Sequence, residues 1–438
     1  MPNATAAGAL PPRPDLSRWM MGVGFLLTPT RFFDACHARC GDWFTLRPAP
    51  GRTLVVTADP DAVREVLRGD PDVLHAGAGN AVLAPVLGPG STLLLDGAEH
   101  LRHRRMLLPP FHGDRLRAST AVMEEVAARH VAAWPRGQAG PALPRMQALT
   151  LEIIVRTVFG VEDPAHVARV GAPLRRVLAQ VGTRGRVVAL GLTQGRHAGP
   201  LSPWRRFLAA RAAADAVVTE ELAARRHAAP GQDVLSLLLQ ARDEHGEGLT
   251  DAELRDELMT LLIAGHETTA TALAWTVERL VRHPDVLATA VAERRAGGHA
   301  YLDAVIRETL RLRPVVPAVV RQLRRDLRLG GWDLPAGVHV APSIYLLHRR
   351  ADLYPEPLAF RPQRFLDAAP SSSTWIPFGG GVRRCLGASF ALLEMRVVLG
   401  ALLDAAQLAP ARGDRAGEGT TRRAITFAPA RGGRIVLR

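Results

Sequence analysis

The 438-residue chain has no lysine: all 55 of its basic side chains are arginine, set against 42 acidic ones for a formal charge of +13. Aromatic residues are scarce too, at 5% with 3 tyrosines, so the interleaved basic and aromatic pattern of a single-strand nucleic-acid binder is missing. The arginines are scattered rather than drawn into a stripe that would track phosphates; no nucleic-acid partner is expected. Long apolar runs are absent: residues 20–27 fall far short of the roughly 20 that a spanning helix needs, and the opening MPNATAAGALPPRPDL lacks a basic-then-apolar signal pattern. The expectation is a cytoplasmic protein with no membrane anchor. Three cysteines, Cys36, Cys40 and Cys385, are too few for a disulfide framework in a chain this long. What is present is 47% apolar and 22% charged residues, enough for one large core and incompatible with general disorder.

The pattern predicts a mainly α fold with a small β part (α+β) in a single domain over 1–438. Short extended runs and turn signals place a strand-rich part at 41–70, 314–350 and 420–438. Apolar residues at three- and four-residue spacing place a helical body at 98–312 and 386–405. Residues 75–92 and 182–203, rich in glycine, proline and small apolar residues, read as long loops that serve as lids.

Residues 251–282 predict a long helix. Thr250 with Glu253 fits a capping box and His283-Pro284 supplies the stop; the span is roughly 48 Å, enough to cross the domain. Its middle carries Gly265, His266, Glu267, Thr268 and Thr269. Polar groups in a core are either hydrogen-bonded or used. Threonine bonding back to the i−4 carbonyl, which merely bends a helix, explains them as well as a chemical role does.

The strongest chemical signal is FGGGVRRCLG at 378–387, a glycine-rich turn that presents Cys385 just before a helix predicted over 388–403. Glycines let the backbone approach a flat ligand. A thiolate at a helix start gains from the dipole and free N–H groups, which are expected to lower its pKa. The alternative is that Cys385 is a small buried hydrophobe; the surrounding pattern argues against it.

The run F-x-x-G-x-R-x-C-x-G, filled by Phe378, Gly381, Arg383, Cys385 and Gly387, resembles the haem-binding signature of the cytochrome P-450 monooxygenases. Ala264 to Thr269 is similar to the family's oxygen-activating stretch, Glu308-Thr-Leu-Arg311 to its E-x-x-R helix, and FRPQRF at 360–365 to the segment whose arginine, here Arg364, joins Glu308 and Arg311 in a triad. Gln363 stands where glutamate is usual. The resemblance implies haem b (iron protoporphyrin IX) with Cys385 as axial iron ligand, a helix in which His100 and Arg104 meet a propionate from one face, and further propionate contacts at Arg321 and Arg383. It implies that Ala264 lies against the haem, while Thr268 donates to dioxygen and Glu267 feeds protons through water. The pair also speaks against two alternatives, a rearrangement or dehydration enzyme on the same fold and a non-catalytic haem sensor or carrier.

By the same resemblance, the substrate pocket is lined by the 75–92 and 182–203 segments, Ala264, Val316, Ala318, Val319 and the turn at Ile425. Aliphatic lining suits a lipophilic terpenoid, steroid or fatty acyl substrate, to be hydroxylated or epoxidised. Arg184, Arg186 and Arg196 are better read as solvated loop cations than as carboxylate contacts. Electrons from NAD(P)H are expected through a separate acidic ferredoxin or flavodoxin with its reductase, steered by the basic surface. Cys36 and Cys40, with His37 between them, have four-residue helical spacing but lack a second ligand pair, so zinc is not expected.

Overall fold

The structure, a computed structural model, describes residues 10–49, 51–111, 113–193, 199, 202–229, 231–366, 371–411 and 417–438. A 32-residue helix, Asp251–Arg282, runs through the helical body. Its start is the expected capping box: the Glu253 N–H donates to the Thr250 hydroxyl at 3.3 Å, and the Thr250 N–H donates back to the Glu253 carboxylate at 2.7 Å. It stops at His283, because Pro284 opens the next helix. This central helix packs extensively on the helix Leu143–Phe159. Leu258, Met259, Leu262, Leu273 and Val277 are buried among Ile153, Val155 and Val158, each worth about 1.5–3 kcal/mol relative to exposure.

The strand-rich part joins the two ends of the chain. Its five-stranded sheet runs Trp43–Ala49, Arg52–Thr57, His339–Pro342, Arg321–Leu323, Leu74–His75. Arg52–Thr57 lies parallel to His339–Pro342 with Leu54 opposite His339, so early and late segments meet edge to edge. A hairpin, Thr420–Arg423 with Thr426–Pro429, has Ala424 and Ile425 at its tip. The hairpin is fastened to the central helix where Trp275 donates to the Phe427 carbonyl at 3.1 Å. The guanidinium of Arg313 covers that indole at 4.9 Å.

The two long loops are corrected by the structure. Within 182–203, residues Arg184–Thr193 form a helix, packed on the helices Pro164–Val181 and Pro203–Arg226; tertiary contact overrides the low propensity of its glycines. Arg196 lies outside the described residues. Arg186 is exposed and donates to the Ala179 carbonyl at the end of the preceding helix. Residues 75–92 are short helical turns at Ala76–Gly79, Ala81–Leu83 and Ala84–Leu87. Asp96 holds the first of them by accepting the N–H groups of Gly77 and Ala78 at 2.8 and 2.9 Å. Gly77 permits this closeness, since a Cβ there would stand 2.0 Å from the Leu94 carbonyl oxygen. No helix among the described residues is long and apolar enough to cross a membrane.

Candidate functional site

The loop 378–387 is built by its glycines. Gly381 has φ +61°, and a Cβ on it would lie 1.8 Å from the Leu67 carbonyl oxygen, so no other residue fits the loop against the helix Pro60–Arg68. The chain then turns so that the Cys385 N–H donates to the Phe378 carbonyl at 2.9 Å, and Gly387 caps the helix Ala388–Ala405. Cys385 retains an accessible surface. Its pKa is nevertheless raised, against expectation: burial pushes the thiol up more than the Gly387 N–H, Arg104 and Arg384 pull it down.

Facing this loop, the helix Gly97–Leu107 carries His100 and Arg104. His100 is driven to about 3 by burial, then by Arg383, Arg104 and Arg321, so these four groups converge. Arg321 is 6% exposed, donates to the Val320 carbonyl at 2.9 Å and is pushed down to about 10 by burial, relieved only by Asp96. Arg104 is lowered by burial as well. The buried Nδ1 of His100 has no hydrogen-bond partner among the described residues. Arg383, lowered to about 10 by burial, is anchored to the segment 92–96: it donates to the carbonyls of Thr92 (3.0 Å) and Leu95 (2.5 Å) and to Asp96 (2.7 Å). Desolvated cations and an orphaned imidazole nitrogen converge here, with Asp96 as the carboxylate opposing Arg321 and Arg383, a pattern that suits a dianionic ligand.

Glu308, Arg311 and Arg364 also come together. Arg311 donates to both Glu308 oxygens at 2.7 and 2.9 Å, and Arg364 reaches the carboxylate at 3.2 Å. Arg311 is further bound by the carbonyls of His348 and Pro357. Gln363 donates to the Tyr301 hydroxyl instead.

On the central helix, Thr268 donates to the Ala264 carbonyl at 2.6 Å and Thr269 to that of Gly265 at 2.9 Å, the back-bonded arrangement. Glu267 does not pair with Thr268: it accepts from Arg423 of the hairpin at 3.0 Å and from Gln147 at 2.6 Å. Burial raises its pKa against both donors. Asp96, Gln147 and Arg423 were not legible as site residues, since each acts across the chain; only Asp96, just before the helix of His100, has a local signal. The pocket positions are mixed. Ala264 is exposed, Ile425 is 38% exposed at the hairpin tip, and Val316 and Ala318 are half-buried. Val319 packs into a cluster with Val63, Leu67 and Ile344. Remote from these, burial raises both Cys36 and Cys40, and His37 binds Asp42 at 2.9 Å.

A mainly helical fold that presents one cysteine from a glycine loop, beside convergent cations, suits a dianionic cofactor with a sulfur ligand. A family model described as cytochrome P450 matches residues 11–417, and the chain belongs to that family. A cytochrome P450 135B1 of Mycobacterium tuberculosis is 42% identical over all of this chain and 93% of its own length; a 135A1 of the same species is 40% identical over 99% and 96%. Among solved structures, the cytochrome P450DA heme domain (26% identity, TM-score 0.84) covers 99% of this chain and 98% of its own. A cyanobacterial CYP120A1 with retinoic acid bound (24%, TM-score 0.85) covers 99% and 100% and shares the fold. The chain is thus a haem monooxygenase in general terms, using haem b, dioxygen and electrons from NAD(P)H delivered through partner proteins.

Proposed function

We propose that the chain hydroxylates or epoxidises a lipophilic small molecule of terpenoid, steroid or fatty acyl type, with electrons from an acidic ferredoxin or flavodoxin and its reductase. The observation that carries the reading is the convergence of His100, Arg104, Arg321 and Arg383 beside a cysteine with an accessible surface. Cys385 would supply the sulfur ligand and His100, Arg104 and Arg321 would hold the propionates, while Arg383, through Asp96, fixes the segment 92–96 against the cysteine loop. Haem with a thiolate ligand supplies the reductive cleavage of dioxygen and the insertion of one oxygen atom into substrate.

The protein's part is to exclude water and deliver protons. Thr268, whose hydroxyl is bonded to the Ala264 carbonyl, would present a proton to the site, and Glu267 would replenish it through water. Glu267 has a source: Gln147 and Arg423, which hold it, also line a surface hollow of about 320 Å³ together with Thr183 and Arg431. Val316, Ala318 and Ile425 contribute aliphatic surface to the substrate. The basic surface favours an acidic electron donor.

Turnover with an acidic ferredoxin, its reductase and a library of lipophilic compounds under isotopically labelled dioxygen tests the reading. One labelled oxygen atom in the product is expected, with reduction slowed by salt. An isomerised or dehydrated product without label would contradict it.

A further inference from the structure

His103 belongs to none of the motifs above, yet it is as tightly enclosed as His100 on the same helix. It is 2% exposed. Its Nδ1 lies 2.8 Å from Glu257 Oε1 and its Nε2 3.1 Å from Glu253 Oε1, so both ring nitrogens face carboxylates of the central helix. Neutral imidazole has one N–H and cannot donate to both. Either the ring carries two hydrogens or a carboxyl carries one; in both cases the cluster holds a proton that free histidine has mostly lost at neutral pH.

The cluster is wired to its surroundings. Glu257, fully buried, also accepts the Thr92 N–H at 2.8 Å, and the Thr92 carbonyl accepts from Arg383 beside the cysteine. Glu253 is the capping residue of the central helix and takes Arg102 at 3.2 Å, while Arg102 binds Asp243 at 2.6 Å. On the same helix, His100 feels the charges of Arg383, Arg104 and His103.

We propose that His103 is a positioning residue: with its proton it latches the helix Gly97–Leu107 to Glu253 and Glu257 of the central helix, and so keeps His100 and Arg104 aimed at the haem propionates. The latch rests on the haem contacts proposed above. Its sign with pH follows from its groups. Burial lowers His103, but the bonds to Glu257 and Glu253 outweigh it and the net pKa is raised; burial also raises Glu257. Both shifts retain the proton. A group raised on folding stabilises below its free value, near 6.5, and that contribution is lost as pH rises through the folded value. The latch therefore loosens on the alkaline side, where two carboxylates face a ring with too few hydrogens.

The test is haem transfer from the ferric holoprotein to excess apomyoglobin, followed between about pH 6 and 9.5 for wild type, His103→Gln and His103→Lys. Wild-type transfer should accelerate with rising pH. His103→Gln should lose haem about tenfold faster at low pH, as loss of an outer-shell partner does, with no pH step; His103→Lys should restore slow loss and move the step upward. If His103→Gln does not fold, the wild-type profile decides. PH-independent transfer in wild type, or a His103→Gln profile equal to wild type, would overturn the latch while the thiolate spectrum stays intact. A wild type that takes up no haem overturns the haem reading beneath it and the latch together.

Discussion

Arg423, at the end of a hairpin strand, donates to the carboxylate of Glu267 in the middle of the central helix across 3.0 Å. Ile425 at the tip of the same hairpin is a proposed substrate contact, so one hairpin carries that contact and also holds the proposed proton donor. Removing the cation should raise the proton affinity of Glu267 further, because burial already raises it and Arg423 is the first group opposing that. Arg423→Ala is expected to lower the fraction of NAD(P)H electrons recovered in product several-fold and to move the pH dependence of that fraction upward. Haem content should not change. Stoichiometry of NAD(P)H, peroxide and product across pH checks this.

Arg321 separates cofactor binding from folding. In the protein alone it is a buried cation whose pKa burial pulls down, so Arg321→Met should leave the apoprotein as stable as wild type or slightly more so. The holoprotein should lose about 1.5–3 kcal/mol of haem affinity, the usual worth of a hydrogen bond to a charged group. Denaturation of the apoprotein and haem titration, measured side by side, give the two opposed results.

Glu308 and Arg311 are both fully buried, and either one alone is an uncompensated charge. Glu308→Gln is expected to cost about 3–5 kcal/mol, read as a lowered denaturation midpoint in the apoprotein as well as the holoprotein.

Gly381→Ala sets a Cβ against the Leu67 carbonyl and forces a non-glycine residue to φ +61°. Loop displacement should abolish thiolate ligation while the circular dichroism of the helices persists.

What was legible in the sequence was local. The glycine loop and Cys385, the capping box at Thr250 and Glu253, and the Glu308–Arg311 spacing all lie within a few residues of their partners, where backbone geometry dictates the contact. The pairs Arg383–Asp96, Glu267–Arg423 and His103–Glu257 join segments far apart in the chain, and no periodicity announces them. The helix Arg184–Thr193 was hidden by its glycines and exists through packing on its neighbours. The upward push of burial on Cys385 was not legible because the helix dipole is visible in sequence and burial is not.

The central claim is that Cys385 ligates haem iron as a thiolate. Carbon monoxide added to the reduced holoprotein tests it directly. The far red-shifted Soret band of thiolate ligation is expected in wild type and should be lost in Cys385→His with haem still bound. A wild type that binds haem and carbon monoxide without that band, or a Cys385→His variant that retains it, would contradict the assignment.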